Sequence, residues 1–168
     1  MSTIWRWTAL VLATWISLVG PSAAQAGKTS DPWHDLAPFV FGEGEQEVVI
    51  FTAPSCPFCR QLVDFMPTLA ERYRVVVLPI SFISYDAQRI RAMACAQDKS
   101  AAARAYLLHQ DVVLPQQDPC DLSAVEARFA EAKKRRVSAV PFIIRPDGRS
   151  SAGLRPDLMA WLAQGETP

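Results

Sequence analysis

The stretch VVIFTAPSCPFC, residues 48–59, joins the pattern of a buried strand directly to a pair of cysteines. Its apolar and β-branched residues predict a core strand over 48–52. The segment that follows, residues 60–73, carries apolar side chains at helical spacing and predicts a helix. Cys56 and Cys59 are therefore expected at a strand-to-helix turn, which indicates a redox site.

The spacing of the two cysteines suits a disulfide that opens and closes. Residues three apart on a helix have Cβ atoms about 5 to 6 Å apart, close enough for an S–S bond after a small adjustment. At the first helical turn, unpaired backbone N–H groups and the helix dipole favour the thiolate of Cys56. Pro57 suits this turn because proline lacks an N–H group that the turn could not pair. We predict that Cys56 is the catalytic nucleophile and Cys59 the resolving thiol.

Composition and length limit the possible partners and the number of domains. The 168 residues suit one domain and a short leader. The 17 Lys and Arg residues balance 17 Asp and Glu residues, so no global field would attract nucleic acid or acidic lipid. We expect no nucleic-acid partner.

The first 26 residues have the pattern of a secretory signal peptide. Arg6 precedes an apolar stretch over 8–20, which is followed by the small-residue site Ala24-Gln25-Ala26. We predict cleavage after Ala26. The alternative is an uncleaved membrane anchor, because residues 5–19 approach the length that spans a bilayer. Export would place all four cysteines in an oxidising compartment, where they can persist as two disulfides.

Beyond the leader, the sequence predicts an N-terminal arm over 27–46 and an α/β domain over 47–165. We expect Pro67 to kink the helix that follows the cysteines. The remaining predicted elements are a second buried strand at 75–80, a helical insert at about 86–136 with helices near 87–97, 100–109 and 122–136, a hairpin beginning with the strand 138–145, and a helix at 157–164.

This order of elements, with C-x-x-C after the first core strand and Val140-Pro141 before a later one, resembles the thioredoxin fold. The resemblance implies a thioredoxin-like α/β fold in which the helical insert separates a βαβ half from a C-terminal ββα half. Pro141 would be the cis-proline of that fold, and Val140 would present its backbone to an extended substrate. Pro57 and Phe58 complete the substrate-binding residues that the resemblance implies.

A closer resemblance is to the catalytic domains of the periplasmic DsbC and DsbG thiol:disulfide interchange proteins. It rests on the segment RAMACAQDK at 91–99, on Cys120 and on the turn at 147–149, and it covers roughly residues 48–162. It implies a structural disulfide between Cys95 and Cys120. It also implies a periplasmic enzyme that forms or isomerises disulfides in exported proteins, with a DsbD-like or DsbB-like membrane redox partner and with no cofactor or metal.

Several features differ from those isomerases. Only about twenty residues separate Ala26 from the first core strand, so we expect no N-terminal dimerisation domain and a monomer. The C-P-F-C sequence and Val140 instead resemble the DsbA-type dithiol oxidases, although Phe58 replaces their usual histidine. Ile50 stands where thioredoxins and those oxidases bury a carboxylate, so proton transfer from Cys59 must use water or another group. A DsbA-like oxidase is therefore the alternative function.

Two further classes of function are weighed against an enzyme. A zinc site of four cysteines is disfavoured because Cys95 and Cys120 do not form a second close pair. A thioredoxin-like binding module of a secretion or conjugation system, with its C-x-x-C pair locked as a structural disulfide, remains an alternative. His34 and His109 lie outside any motif and are expected at the surface. The basic run at 133–136 is expected to be a solvated helix end.

Overall fold

The structure is a computed structural model that describes residues 32–82 and 84–166. The predicted leader, its cleavage after Ala26 and the first residues of the arm lie outside these ranges. In the described part of the chain, no helix is long and apolar enough to span a bilayer. The elements in chain order are β1 Phe39–Phe41, β2 Glu47–Thr52, α1 Pro57–Leu62, α2 Met66–Arg72, β3 Arg74–Pro79, α3 Ser84–Ala94, α4 Lys99–Leu107, α5 Ser123–Lys134, β4 Phe142–Ile144, β5 Ser150–Ala152 and α6 Leu158–Ala163.

The strands form a mixed sheet in the order β1-β3-β2-β4-β5. β2 pairs in parallel with β3 and antiparallel with β4, so it is the central strand. Ile50 in β2 lies opposite Val77 on one side and Ile143 on the other. The predicted α/β architecture is confirmed, with the helical insert between the βαβ half and the C-terminal hairpin and helix.

The central strand supplies alternate side chains to two hydrophobic cores, because successive residues of a strand point to opposite faces. Val48 and Ile50 pack in the core that α1, α2 and α6 cover. Val49 and Phe51 pack in a second core on the other face of the sheet, together with Trp33, Leu36 and residues of α5. Burying such side chains contributes about 1.5 to 3 kcal/mol each. This two-sided burial explains why residues 48–52 are a nearly continuous apolar run.

The N-terminal segment is attached to the domain by a strand and by a buried arginine. β1, inside the segment predicted as an arm, pairs antiparallel with β3 at the edge of the sheet. The Arg128 guanidinium of α5 donates hydrogen bonds to the carbonyls of Leu36 at 3.0 Å, Ala37 at 2.5 Å and Pro79 at 3.0 Å. Burial lowers the pKa of Arg128 to about 10, so the side chain is still charged at neutral pH.

The helical regions differ from their predicted bounds by a few residues at their ends. The helix after the cysteines is interrupted by a 3-10 turn at Val63–Phe65, just before Pro67. α4 begins after Asp98, whose carboxylate accepts a hydrogen bond from the Ala101 N–H at 2.9 Å. This capping stabilises the first turn of α4 because that N–H has no partner within the helix.

A disulfide closes the insert. Cys95 follows α3, Cys120 lies in the loop before α5, and the two are bonded with their Cα atoms 5.5 Å apart. Between them, Ala96 pairs with Gln116 in an isolated antiparallel bridge. The bond therefore ties the end of α3 to the segment that leads into α5.

We predict that removing this disulfide with Cys95→Ser and Cys120→Ser lowers the free energy of unfolding by about 3 to 4 kcal/mol. The estimate follows from the chain entropy of a closed loop of this length, whose ends are 25 residues apart. Urea unfolding would measure the loss. As a control, reductant added to a Cys56→Ser, Cys59→Ser variant should produce the same loss, since only the structural disulfide is then reducible. Equal unfolding midpoints with and without the bond would contradict the prediction.

Candidate active site

The two cysteines of the C-x-x-C sequence lie where β2 passes into α1. Cys56 is the N-cap residue of α1, and its Sγ accepts a hydrogen bond from the Cys59 backbone N–H at 3.1 Å. Pro57 occupies the first helical position. Both cysteines carry free thiols in this structure. The N–H groups of a first helical turn have no partner within the helix, and one of them bonds the Cys56 sulfur. Such N–H groups favour negative charge.

The second thiol lies in a different environment. Cys59 is one turn deeper and only 5% exposed. Burial raises the pKa of the Cys59 thiol, and its hydrogen bond with the Cys56 side chain raises that pKa further. Cys59 therefore stays protonated at neutral pH, and it must lose a proton before it can attack a disulfide.

A residue distant in sequence lies against the first thiol. The Cys56 Sγ donates a hydrogen bond to the Val140 carbonyl oxygen at 3.3 Å. The Val140-Pro141 peptide bond is cis. Val140 also packs against the small cluster formed by Ala53 and the two thiols. The structure thus places Val140-Pro141 beside the C-x-x-C turn, as the resemblance to the thioredoxin fold implies.

The residues between the cysteines face solvent. Pro57 is exposed, and Phe58 is 55% exposed despite its large apolar ring. Two other aromatic residues are exposed: Phe82 shortly before α3, and Tyr85 in its first turn. Large exposed apolar rings are uncommon on a protein surface away from binding sites.

Asp86 is a site residue that the sequence analysis did not identify. It is buried in the first turn of α3. Its carboxylate accepts hydrogen bonds from the Ser55 N–H at 3.0 Å and from the Ser55 hydroxyl at 2.7 Å. Since Ser55 directly precedes Cys56, this carboxylate fixes the turn that presents the first thiol. The signal in the sequence was weak, because an acidic residue in a first helical turn is ordinarily explained by the helix dipole.

Beneath Cys59, α4 and the loop after it supply polar groups. The Tyr106 hydroxyl and the Thr52 hydroxyl are hydrogen-bonded to each other, and burial raises the pKa of Tyr106. His109 lines a cavity of about 20 Å³ together with these residues and Cys59. His109 is half-buried, with its Nε2 atom buried, so it lies only partly at the surface. His34, by contrast, is exposed as predicted.

The remaining predictions concern metal and basic residues. In residues 32–82 and 84–166, no group of three or more His, Cys, Asp or Glu side chains is placed to hold a metal ion. The Cys95–Cys120 bond uses two of the sulfurs that a four-cysteine zinc site would need.

The basic run at 133–136 is exposed at the end of α5. Within it, Arg135 pairs with Glu131 at 2.7 Å.

Comparison with known proteins agrees with this geometry. Residues 40–163 match the thioredoxin-like domain family, so the chain belongs to that family. Its fold is similar to that of a disulfide interchange protein from Neisseria gonorrhoeae, at 20% identity over 76% of this chain and 93% of that chain, with a TM-score of 0.57. The predicted thioredoxin-like fold is confirmed.

Two further solved structures share the fold. A periplasmic thioredoxin-like protein from Salmonella enterica serovar Typhimurium is 18% identical, covering 77% of this chain and 90% of that chain, with a TM-score of 0.60. ScsC from Proteus mirabilis, in a compact conformation, is 16% identical over 79% of this chain and 74% of that chain, with a TM-score of 0.63. No curated protein matches the sequence. At these identities, the structural matches establish the fold alone.

We predict that Asp86→Ala lowers the free energy of unfolding by about 2 to 3 kcal/mol, because it leaves the Ser55 N–H and hydroxyl without a charged acceptor. Ser55→Ala is the matched control. It removes the hydroxyl hydrogen bond but keeps the one from the backbone, so a smaller loss of about 1 kcal/mol is expected. Urea unfolding of both variants measures the difference. If Asp86→Ala were no less stable than Ser55→Ala, the carboxylate would not hold the turn.

Proposed function

We propose that this protein is a thiol:disulfide oxidoreductase that exchanges disulfides with exported cysteine-containing proteins. The observation that carries the proposal is the asymmetry of the C-x-x-C pair. Both cysteines are buried, but the Cys56 sulfur is at a helix N-terminus and accepts an N–H hydrogen bond, whereas the pKa of Cys59 is raised so that its thiol stays protonated. One sulfur is placed to react with a partner chain and the other to react only within the protein.

The chemistry proceeds through a mixed disulfide. The Cys56 thiolate attacks one sulfur of a substrate disulfide, and the other substrate sulfur leaves with the electron pair. Cys59 then attacks the Cys56 sulfur, which releases the second substrate thiolate and closes the Cys56–Cys59 disulfide. The substrate is reduced by two electrons and the protein is oxidised. In the reverse direction, a substrate thiolate attacks the closed disulfide.

Substrate binding is proposed for the residues around Cys56. The Val140 carbonyl lies 3.3 Å from the Cys56 sulfur, so an extended chain that pairs with the backbone at Val140-Pro141 would bring its own sulfur to the site. Pro57 and Phe58 would contact apolar side chains of that chain. This surface uses backbone and apolar contacts, which suits substrates of varied sequence.

For the direction of the reaction, we propose DsbC-like interchange, either formation or isomerisation of disulfides. The resemblance of the insert, with Cys95 and Cys120 now seen bonded, supports this assignment. DsbA-like oxidation is the second candidate, favoured by Pro57 and Val140. We place the protein in the periplasm, where the Salmonella relative is described to be, and propose a DsbD-like or DsbB-like membrane redox partner. A non-catalytic binding module would not need a free thiol held at a helix N-terminus beside the Val140 carbonyl.

We predict that Cys59→Ala traps mixed disulfides between Cys56 and exported proteins, because the resolving thiol is gone while the nucleophile remains. Non-reducing gels and mass spectrometry of the exported fraction would detect the adducts. The control is the Cys56→Ala, Cys59→Ala variant, which should form none. If Cys59→Ala formed no more adducts than this control, the protein would be a binding module instead of an enzyme.

We predict a reduction potential of about −200 mV for the Cys56–Cys59 pair, measured against glutathione buffers, as suits interchange. Phe58 carries no charge that would stabilise the Cys56 thiolate and thereby favour the dithiol form. Phe58→His should raise the potential by about 30 mV for each factor of ten by which the added cation favours the dithiol form over the disulfide. Phe58→Leu, which adds no charge, is the control. A wild-type potential of about −130 mV or higher would support the oxidase instead.

A further inference from the structure

The resolving step needs an acceptor for the Cys59 proton. The position six residues before Cys56 is Ile50, which is fully buried in the hydrophobic core and cannot accept a proton. Asp86 is committed to two hydrogen bonds with Ser55. Because Asp86 already serves Ser55 and Ile50 is apolar, the other residues around Cys59 are the candidates for this acceptor.

His109 presents a ring nitrogen without a partner on that side of the site. The imidazole is hydrogen-bonded to the Pro54 carbonyl. The Nε2 atom is buried and has no hydrogen-bond partner. Because the carbonyl can only accept, the bond requires an N–H at Nδ1. In the neutral ring, Nε2 then carries the lone pair, and it is the atom free to accept a proton.

A small cavity is lined by both His109 and the resolving cysteine. Its volume is about 20 Å³, and Cys59, Tyr106 and His109 are among the residues that line it. A space of this size is enough for one water molecule. A buried lone pair usually has a donor. The donors among the lining residues are the Cys59 thiol and the Thr52 and Tyr106 hydroxyls, which already bond to each other, and a water in the cavity would be another.

The charges around the imidazole keep it neutral. Burial lowers the pKa of His109, and the cations Arg60 on α1 and Arg89 on α3 lower it further. Arg89 is itself paired with Asp111 at 3.5 Å. On α4, burial raises the pKa of Tyr106, so its hydroxyl stays uncharged. With its pKa below the ordinary value near 6.5, the ring at neutral pH is in the form that can accept a proton.

We propose that Nε2 of His109 accepts the Cys59 thiol proton, directly or through one water in this cavity, when the mixed disulfide is resolved. The S–H bond of Cys59 breaks and an N–H bond forms. The Cys59 thiolate then bonds to the Cys56 sulfur, and the substrate sulfur leaves with the electron pair. The imidazolium releases its proton to the substrate thiolate or to solvent. This role rests on the proposed function of the cysteine pair.

Stopped-flow reaction of the reduced protein with oxidised glutathione tests the proposal. The second-order phase reports the attack by Cys56, and the unimolecular phase reports closure by Cys59. For His109→Gln, we expect closure at least about tenfold slower near pH 7, as loss of a general base implies, with the first phase within about twofold of wild type. The deficit should shrink as pH rises, because hydroxide then removes the proton.

The chain provides its own control, since it has two histidines and His34 is exposed. His34→Gln should leave both phases unchanged. Because His109 has a positive φ of 51°, His109→Asn is a second variant that tolerates this backbone; it should show the same slow closure. Wild-type closure rates in both His109 variants across the pH range would overturn the proposal and leave the proposed function standing.

The tautomer gives a readout that does not depend on turnover. Imidazole nitrogen NMR of the reduced protein, assigned with His34→Gln, should show His109 protonated at Nδ1 and not at Nε2. A proton on Nε2 at neutral pH would overturn the proposal. If wild-type protein reacted with oxidised glutathione in neither phase, the proposed function would fail and the role of His109 would fail with it.

Discussion

The pairing of β2 with β4 is the constraint on which the site depends. Phe51 lies opposite Phe142 in this antiparallel ladder. The residues that follow β2 and the residues that precede β4 therefore lie next to each other, at the same end of the two strands. A shift by one residue would reverse the side chains of β2 between the two cores. Two-sided burial of β2 therefore fixes the register, and the register places Val140 beside Cys56.

The sequence was sufficient for features that are encoded locally. Residues 48–52 are apolar because both faces of β2 are buried, and that pattern, followed by two cysteines, was enough to predict the strand-to-helix turn. The resemblance then gave Val140-Pro141 and the pairing of Cys95 with Cys120. β1 was harder to predict, because its strand character depends on β3 and on contacts made by α5.

Asp86 and His109 could not be predicted for a different reason. Ser55 and Asp86 are separated by 31 residues, and no motif joins them. The partner of His109 is a main-chain carbonyl, which has no sequence signature. Both residues acquire their roles when the insert folds over the end of β2. Sequence patterns report periodicity and burial, but they do not report which buried polar groups meet in space.

The helical insert thus supports the reactive turn as well as covering the sheet. Asp86 lies on α3, just before the loop that the Cys95–Cys120 bond closes, and His109 lies inside that loop. That bond cannot form until the chain has met an oxidant. During its biogenesis, the protein is therefore itself a substrate of the kind of disulfide chemistry that we propose it performs.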